Sequence, residues 1–147
     1  MSALAGYRSD SGAFVPVWTL EIQTREGDTD RILDAVMAVD PLVYGRYERN
    51  ASISAVGRET TQPMAGSTTT THLPGFSAGG TQTYPMVELK LSIARDAALL
   101  DRVMTAILHV HHYEEPVIFL REDWTSRAAY DPTRDNPHRW WNDGKGL

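Results

Sequence analysis

The second half of the chain holds the pattern that most restricts the fold. Apolar and polar residues alternate over 86–93, which predicts a strand with one buried face. Apolar side chains then recur at helical spacing from Leu99 to Leu108, and Asp96 is placed to cap that helix. A short apolar run over 116–120 predicts a further strand. This part of the chain therefore has the order strand, helix, strand.

The first half repeats that order. Alternation over residues 14–23 predicts a strand, and an apolar helical stripe follows Asp28 and Thr29, either of which is placed to cap the helix. Asp40–Pro41 ends the helix, because the residue before a proline is pushed out of the α region. Residues 44–55 then predict a second strand.

Two such units in sequence predict an α+β protein with the ferredoxin-like β-α-β-β-α-β order. Right-handed crossovers place both helices on one face of a four-stranded antiparallel sheet. Trp18 or Val17, depending on the register, makes the other face apolar, and the simplest cover for it is another copy of the chain. The domain is expected over 14–121, with a flexible lead-in over 1–13 and an irregular arm over 122–147.

Composition argues against several classes of function. The net charge of -5 offers no excess of cations for nucleic-acid phosphates or anionic membranes. There is no apolar run long enough for a bilayer span and no signal-peptide pattern, so we expect a cytoplasmic protein with neither nucleic acid nor membrane as a partner. The absence of cysteine removes disulfides, thiolate metal sites and thiol nucleophiles.

Two stretches lack periodic apolar residues. The connection 57–83 is rich in Gly, Ser, Thr and Pro, and is either a mobile hairpin tip or a binding loop. The arm over 122–147 places Trp124, Trp140 and Trp141 among charged residues. Because water is a poor environment for indole rings, we expect the arm to lie on the domain or on a neighbouring subunit. Stacking on bases is the alternative, which the acidic balance disfavours.

A dense polar segment lies between the second helix and the last strand. Imidazoles beside carboxylates bind Zn²⁺ or Cu²⁺ when other elements supply the remaining ligands. The candidate ligand-binding or metal-binding residues are His109, His111, His112, Glu114, Glu115, His72 and Glu48.

The structural alternative is that this polar segment only fixes the helix–strand junction. Tyr113 and Glu114 would then hydrogen-bond nearby groups, with Glu48 or Arg49 as a charge partner. An enzyme is disfavoured, because no nucleophile–base motif is present, and histidine near two glutamates is a weak signal of general acid–base chemistry.

Two segments resemble a known family. The run over 44–49, YGRYER, resembles the G-x-Y-E run, and 111–116, HHYEEP, resembles the H-P-Y-E-E-P run, of the small domain inserted in Nif-three-like proteins. His112 stands where that motif has its first proline. The motif residues of this chain are Gly45, Tyr47, Glu48, Arg49, Tyr113 and Pro116.

That inserted domain is similar in fold to the CutA and PII signalling proteins. The resemblance implies a ferredoxin-like subunit, commonly assembled as a trimer with its sheets packed inward. It implies that the connection 57–83 corresponds to the ligand-responsive loop of PII proteins, and CutA proteins are associated with divalent metal tolerance. The metal chemistry of the larger Nif-three-like proteins lies on flanking halves and is not carried over. The expected function is non-enzymatic binding of a small molecule or metal ion between subunits, with a role in signalling.

Overall fold

The computed structural model describes residues 6–75 and 77–129, which form one antiparallel sheet with two long helices packed on one face and a third, short helix. Its strands are β1 (Arg8–Ser9), β2 (Gly12–Thr24), β3 (Ala51–Ile53), β4 (Gly57–Thr61), β5 (Gln82–Ala94) and β6 (Ile118–Ala128). Its helices are α1 (Thr29–Met37), α2 (Thr68–His72) and α3 (Ala97–Val110). None of the helices in the described residues is long and apolar enough to cross a bilayer.

Strand β2 lies at the centre of the sheet. It pairs antiparallel with β5 on one side, from Val17 opposite Ala94 to Thr24 opposite Val87, and with β6 on the other. Strands β3 and β4 pair one after the other with the far edge of β5. This arrangement confirms the predicted ferredoxin-like fold and the neighbouring positions of segments 14–23 and 86–93.

The core lies between the sheet and the helices α1 and α3. The alternating side chains of β2 and β5 meet the apolar stripes of both helices, as the periodicity predicts. Asp96 caps α3, since its carboxylate accepts hydrogen bonds from the amides of Ala98 and Leu99. The fully buried members of the core are Leu20, Ile22, Ile32, Val36, Leu89, Val103 and Ile107.

The register resolves which residue of β2 faces away from the helices. Trp18 packs against the core, and Val17, only 4% exposed, lies on the opposite face. The middle of that face carries polar side chains, including Thr19 and the ion pair between Arg121 and Glu21. The prediction of an apolar open face was therefore wrong for its middle, because polar residues fill the alternate positions of β2.

Three predicted elements differ from the observed ones. Only Ala51–Ile53 of the segment 44–55 is a strand. The last strand runs to Ala128 and does not end at residue 120. The connection 57–83, expected as a long loop without periodic apolar residues, contains the strand β4 and the helix α2.

At the N-terminal end, β1 and the start of β2 form a short hairpin within the predicted lead-in. A side chain at Gly12 would overlap the Arg127 carbonyl, so glycine lets β6 approach closely here. Most of the arm, with Trp140 and Trp141, lies outside the described residues. The division of the chain at residues 13 and 121 stays a prediction.

Candidate functional site

His111 begins the junction segment, residues 111–116, which joins α3 to β6. Its Nδ1 accepts a hydrogen bond from the Tyr113 amide at 3.0 Å, so in the neutral ring the proton is on Nε2. Nε2 then donates to the Gln23 carbonyl at 2.9 Å. Burial lowers the pKa of His111, which favours this neutral form. Neither ring nitrogen is free for a metal ion in this conformation.

Close to the junction segment, the buried carboxylate of Asp28 is paired with two arginines. Asp28 accepts a hydrogen bond from Nε of Arg25 at 2.7 Å and pairs with Arg31 at 2.9 Å. The bond from Arg25 holds the pKa of Asp28 below its ordinary value. Arg31 also donates to the Val110 carbonyl at the end of α3. The prediction that the side chain of Asp28 or Thr29 caps α1 was wrong, because the Asp28 carboxylate is paired with these arginines and the Thr29 hydroxyl donates to the Glu26 carbonyl.

Tyr113 connects the junction segment to β4. Its half-buried phenol lies beside the carboxylate of Glu59 on β4, and its ring makes an edge contact with His111, with the ring centroids 5.0 Å apart. Burial and then the neighbouring Glu59 carboxylate raise the pKa of Tyr113. The phenol of Tyr113 therefore stays protonated next to Glu59.

Glu114 connects the junction segment to α2. Its Oε2 accepts hydrogen bonds from the amide and from Oγ1 of Thr68, each at 2.8 Å. These two bonds lower the pKa of Glu114, and the charge of His72 acts in the same direction. The connection 57–83 is thus attached to the junction segment at Tyr113 and at Glu114.

The remaining candidate ligands do not converge within one subunit. His72, His109, His112 and Glu115 are exposed, as is Glu48 in the turn before β3. Within residues 6–75 and 77–129, no three His, Cys, Asp or Glu side chains are placed to hold a metal ion.

The first motif segment closes a tight turn. Gly45 has a φ of +63°, which favours glycine, and the backbones of Tyr44 and Tyr47 are paired across the turn. Arg49 pairs with Asp34 at 2.6 Å and also with Asp30. The prediction that Arg49 serves the junction segment was wrong, because α1 offers it two carboxylates.

Sequence reasoning missed two residues at this site, Glu59 and Thr68. Their partners lie far along the chain, and nothing in the local pattern announces those contacts. The Ser67 side chain accepts a hydrogen bond from the Thr70 amide at the start of α2. A serine before a run of threonines is therefore the local signal that predicts this helix start.

Comparison with known proteins supports the fold. No family model and no curated protein matches the sequence. Solved structures with the ferredoxin-like fold of PII and CutA proteins do match the chain. CutA1 from Oryza sativa aligns with a TM-score of 0.50 at 14% identity, over 78% of this chain and 84% of that one. GlnK of B. subtilis, solved with ATP, aligns with a TM-score of 0.48 at 11% identity, over 74% and 83%.

A Bacillus cereus protein related to NIF3 aligns with a TM-score of 0.60 at 16% identity and covers 80% of this chain. The chain spans only 28% of the length of that protein, in keeping with a resemblance to one small domain of a larger molecule. The predicted resemblance to CutA-like and Nif-three-like proteins is confirmed for the fold.

Proposed function

We propose that this chain is a non-enzymatic, PII/CutA-like subunit of a homotrimer that binds a small molecule or a divalent metal ion between subunits. The attachment of the connection 57–83 to Tyr113 and Glu114 carries the proposal. A connection held at two points on a helix–strand junction is placed to respond to whatever binds there. The connection would then present a changed surface to a partner protein, which is the signalling role.

The position of the free ligands favours a site between subunits. His72, His109, His112 and Glu115 are exposed, and the described part of one subunit gathers no three such groups around a common point. Because protein zinc sites normally use at least three protein ligands, a neighbouring subunit is the natural source of the rest. Zn²⁺ and Cu²⁺ are the ions that imidazole and carboxylate ligands suit.

The outer edge of β6 supports self-association. Among the described strands, β6 pairs only with β2, so its other edge has no strand partner there. Phe119 and Leu120 are 51% and 48% exposed on this strand. A long edge strand with exposed apolar side chains is a template for pairing with another chain. A second copy is the partner that we propose.

Titration calorimetry with Zn²⁺, Cu²⁺, ATP and ADP tests the binding proposal. We expect saturable heat with at least one of them. If a metal ion is the ligand, the His72→Ala/His112→Ala double variant loses that heat. Asp101→Asn, which changes an exposed carboxylate on α3, keeps it. No heat with any of the four, together with unchanged proteolysis of the connection 57–83, would refute the proposal.

Light scattering tests the assembly. We expect the mass of a trimer for the natural chain and a smaller mass for Phe119→Arg, because the substitution places a charge on the proposed contact edge. Met64→Arg is the matched control, since Met64 is 78% exposed and belongs to the connection, not to β6. A natural chain that stays single at high concentration rules out the trimer.

A structural interaction module is the second candidate. It is favoured by one observation: His111, Tyr113 and Glu114 each contact other parts of the same chain through their polar side chains. In that case Glu114→Ala lowers the melting temperature, and neither Glu114→Ala nor His112→Ala changes any binding heat.

A further inference from the structure

Helix α2 is held to the domain by few contacts. None of its residues is buried, and the hydrophobic core takes no residue from the described part of the connection 57–83. A helix of this length is not stable by itself in water. The position of α2 therefore depends on the polar contacts that it makes with the rest of the domain.

The contact of α2 with the main domain is made at its first residue. Thr68 donates its amide and its hydroxyl to one carboxylate oxygen of Glu114, each at 2.8 Å. Hydrogen bonds to a charged acceptor are roughly twice as strong as neutral ones. The Thr68 amide also lacks a partner inside the helix, as first-turn amides do. The Glu114 carboxylate thus satisfies a donor that α2 cannot satisfy itself.

The segments that flank α2 are held separately. Strand β4 pairs with β5 from Gly57 opposite Met86 to Thr61 opposite Gln82. Beyond β4, the amide of Gly79 donates to the carbonyl of the buried residue Pro63 at 3.0 Å, which closes the neck of the segment that carries α2. Loss of the Glu114 contact would therefore free α2 and leave β4 and the neck in place.

We propose that Glu114 is a latch that holds α2 against the junction segment, and that α2 opens as a unit when the Glu114 carboxylate leaves Thr68. Glu114 is in this sense a positioning residue for the connection. The ligand-controlled use of the latch rests on the proposed function. A cation that takes the Glu114 carboxylate as a ligand competes with the two donors of Thr68 and so releases α2 toward a partner.

Amide hydrogen exchange followed by NMR tests the latch in the unliganded chain. The reporters are the amides of Thr71 and Leu73, which donate to Ser67 and Thr69 within and at the end of α2. In Glu114→Ala we expect both to exchange about tenfold faster, the factor that corresponds to about 1.4 kcal/mol. Amides of β4 and α3 should keep their rates, because their own pairing is untouched.

Glu115→Ala is the matched control, since it removes the neighbouring carboxylate, which is exposed. It should leave the reporters unchanged. Glu114→Gln keeps an acceptor oxygen without the charge and should give an intermediate rate. Equal reporter rates in Glu114→Ala, Glu115→Ala and the natural chain overturn the latch.

A second variant covers the case in which Glu114→Ala destabilises the whole domain. Thr68→Val removes the hydroxyl donor but keeps the amide and the side-chain shape. We expect it to speed exchange of the same reporters by about threefold, less than loss of the carboxylate does, because one of the two bonds remains. If exchange instead rises equally in α2, β5 and α3 in both variants, Glu114 only supports the fold and the latch is rejected.

The exchange experiment needs no ligand, so its outcome is separate from that of calorimetry. A latch without binding heat would remove the proposed function and leave the conformational device. Binding heat together with unchanged exchange in Glu114→Ala would remove the latch and leave the proposed function. With a metal ion that gives heat, for example Zn²⁺, faster reporter exchange in the natural chain would link the two. Unchanged or slower exchange would overturn the ligand-controlled step alone.

Discussion

The two helix-to-strand junctions of this molecule each carry one of the two motif segments, and they use them differently. In the junction after α1, Tyr44 hydrogen-bonds the end of β6, and Arg49 pairs with carboxylates of α1. In the junction after α3, Tyr113 and Glu114 reach β4 and α2 in the long connection. The first junction is therefore held by β6 and α1, whereas the second contacts α2, a helix with few contacts to the rest of the domain. A function that requires a segment to move is therefore expected at the second junction.

Several hydrogen bonds and ion pairs together fix the backbone of the first junction. The amides of Arg49 and Asn50 donate to the carbonyls of Pro41 and Leu42, at 2.9 and 3.0 Å. Arg49 has a φ of +56°, a left-handed conformation that a non-glycine residue adopts at a cost. The surrounding hydrogen bonds and ion pairs hold it there. The second junction, by contrast, makes its outward contacts through the ends of two side chains.

The strongest test of this comparison is His111→Ala, which removes the buried anchor of the second junction. The Gln23 carbonyl and the Tyr113 amide both lose a partner, so we expect the free energy of unfolding to fall by about 2 kcal/mol. Chemical denaturation measures the change. His112→Ala, an exposed neighbour, should change stability by less than about 0.5 kcal/mol.

The effect of His111→Ala should also depend on pH. Because burial lowers the pKa of His111, the unfolded chain takes up a proton on this residue before the folded chain does. The stabilisation by neutral His111 is fully present above about pH 6.5, the ordinary pKa of histidine. It is lost as the pH falls through the lowered pKa that His111 has in the folded chain. The stability difference between natural chain and variant should shrink in that window. A difference that grows on acidification would contradict the assignment.

The fold was predictable wherever one face of an element is buried. Alternation over 86–93 and helical spacing from Leu99 to Leu108 each record a burial pattern, and β5 and α3 follow them. The second half of β6 and all of β4 were missed. Strand β4 is mostly exposed on both faces, and β6 beyond Leu120 is polar at every position except Trp124 and Ala128. A strand without a buried face can pair through its backbone and still show no alternation of apolar and polar residues in the sequence.

The site was predictable in part. The polar segment at 111–116 was singled out from its residue types, but the separate roles of its members depend on distant partners. Glu114 and Thr68 are 46 residues apart, and Tyr113 meets Glu59 on a strand that has no periodic signal. His111 was grouped with the exposed histidines because sequence does not distinguish a half-buried ring from a solvated one.

A smaller effect is expected from Tyr44→Phe at the first junction. The Tyr44 hydroxyl lies 2.5 Å from the Ser126 carbonyl and 3.1 Å from Thr125 Oγ1, and the ring stacks under the Arg127 guanidinium. The substitution removes the hydroxyl and keeps the stacked ring, so we expect a loss of about 1 kcal/mol in the free energy of unfolding.

Tyr47→Phe is the matched control for this change. Tyr47 is the partner of Tyr44 across the turn and is 71% exposed. Because water can hydrogen-bond the groups around an exposed hydroxyl, loss of the Tyr47 hydroxyl should not change the free energy of unfolding. Faster amide exchange in Tyr44→Phe should be confined to the C-terminal half of β6, and the reporters in α2 should keep their rates, because the Tyr44 hydroxyl contacts β6. Faster exchange at α2 in Tyr44→Phe would mean that the two junctions are coupled, and the division between a fixed and a movable junction would then be wrong.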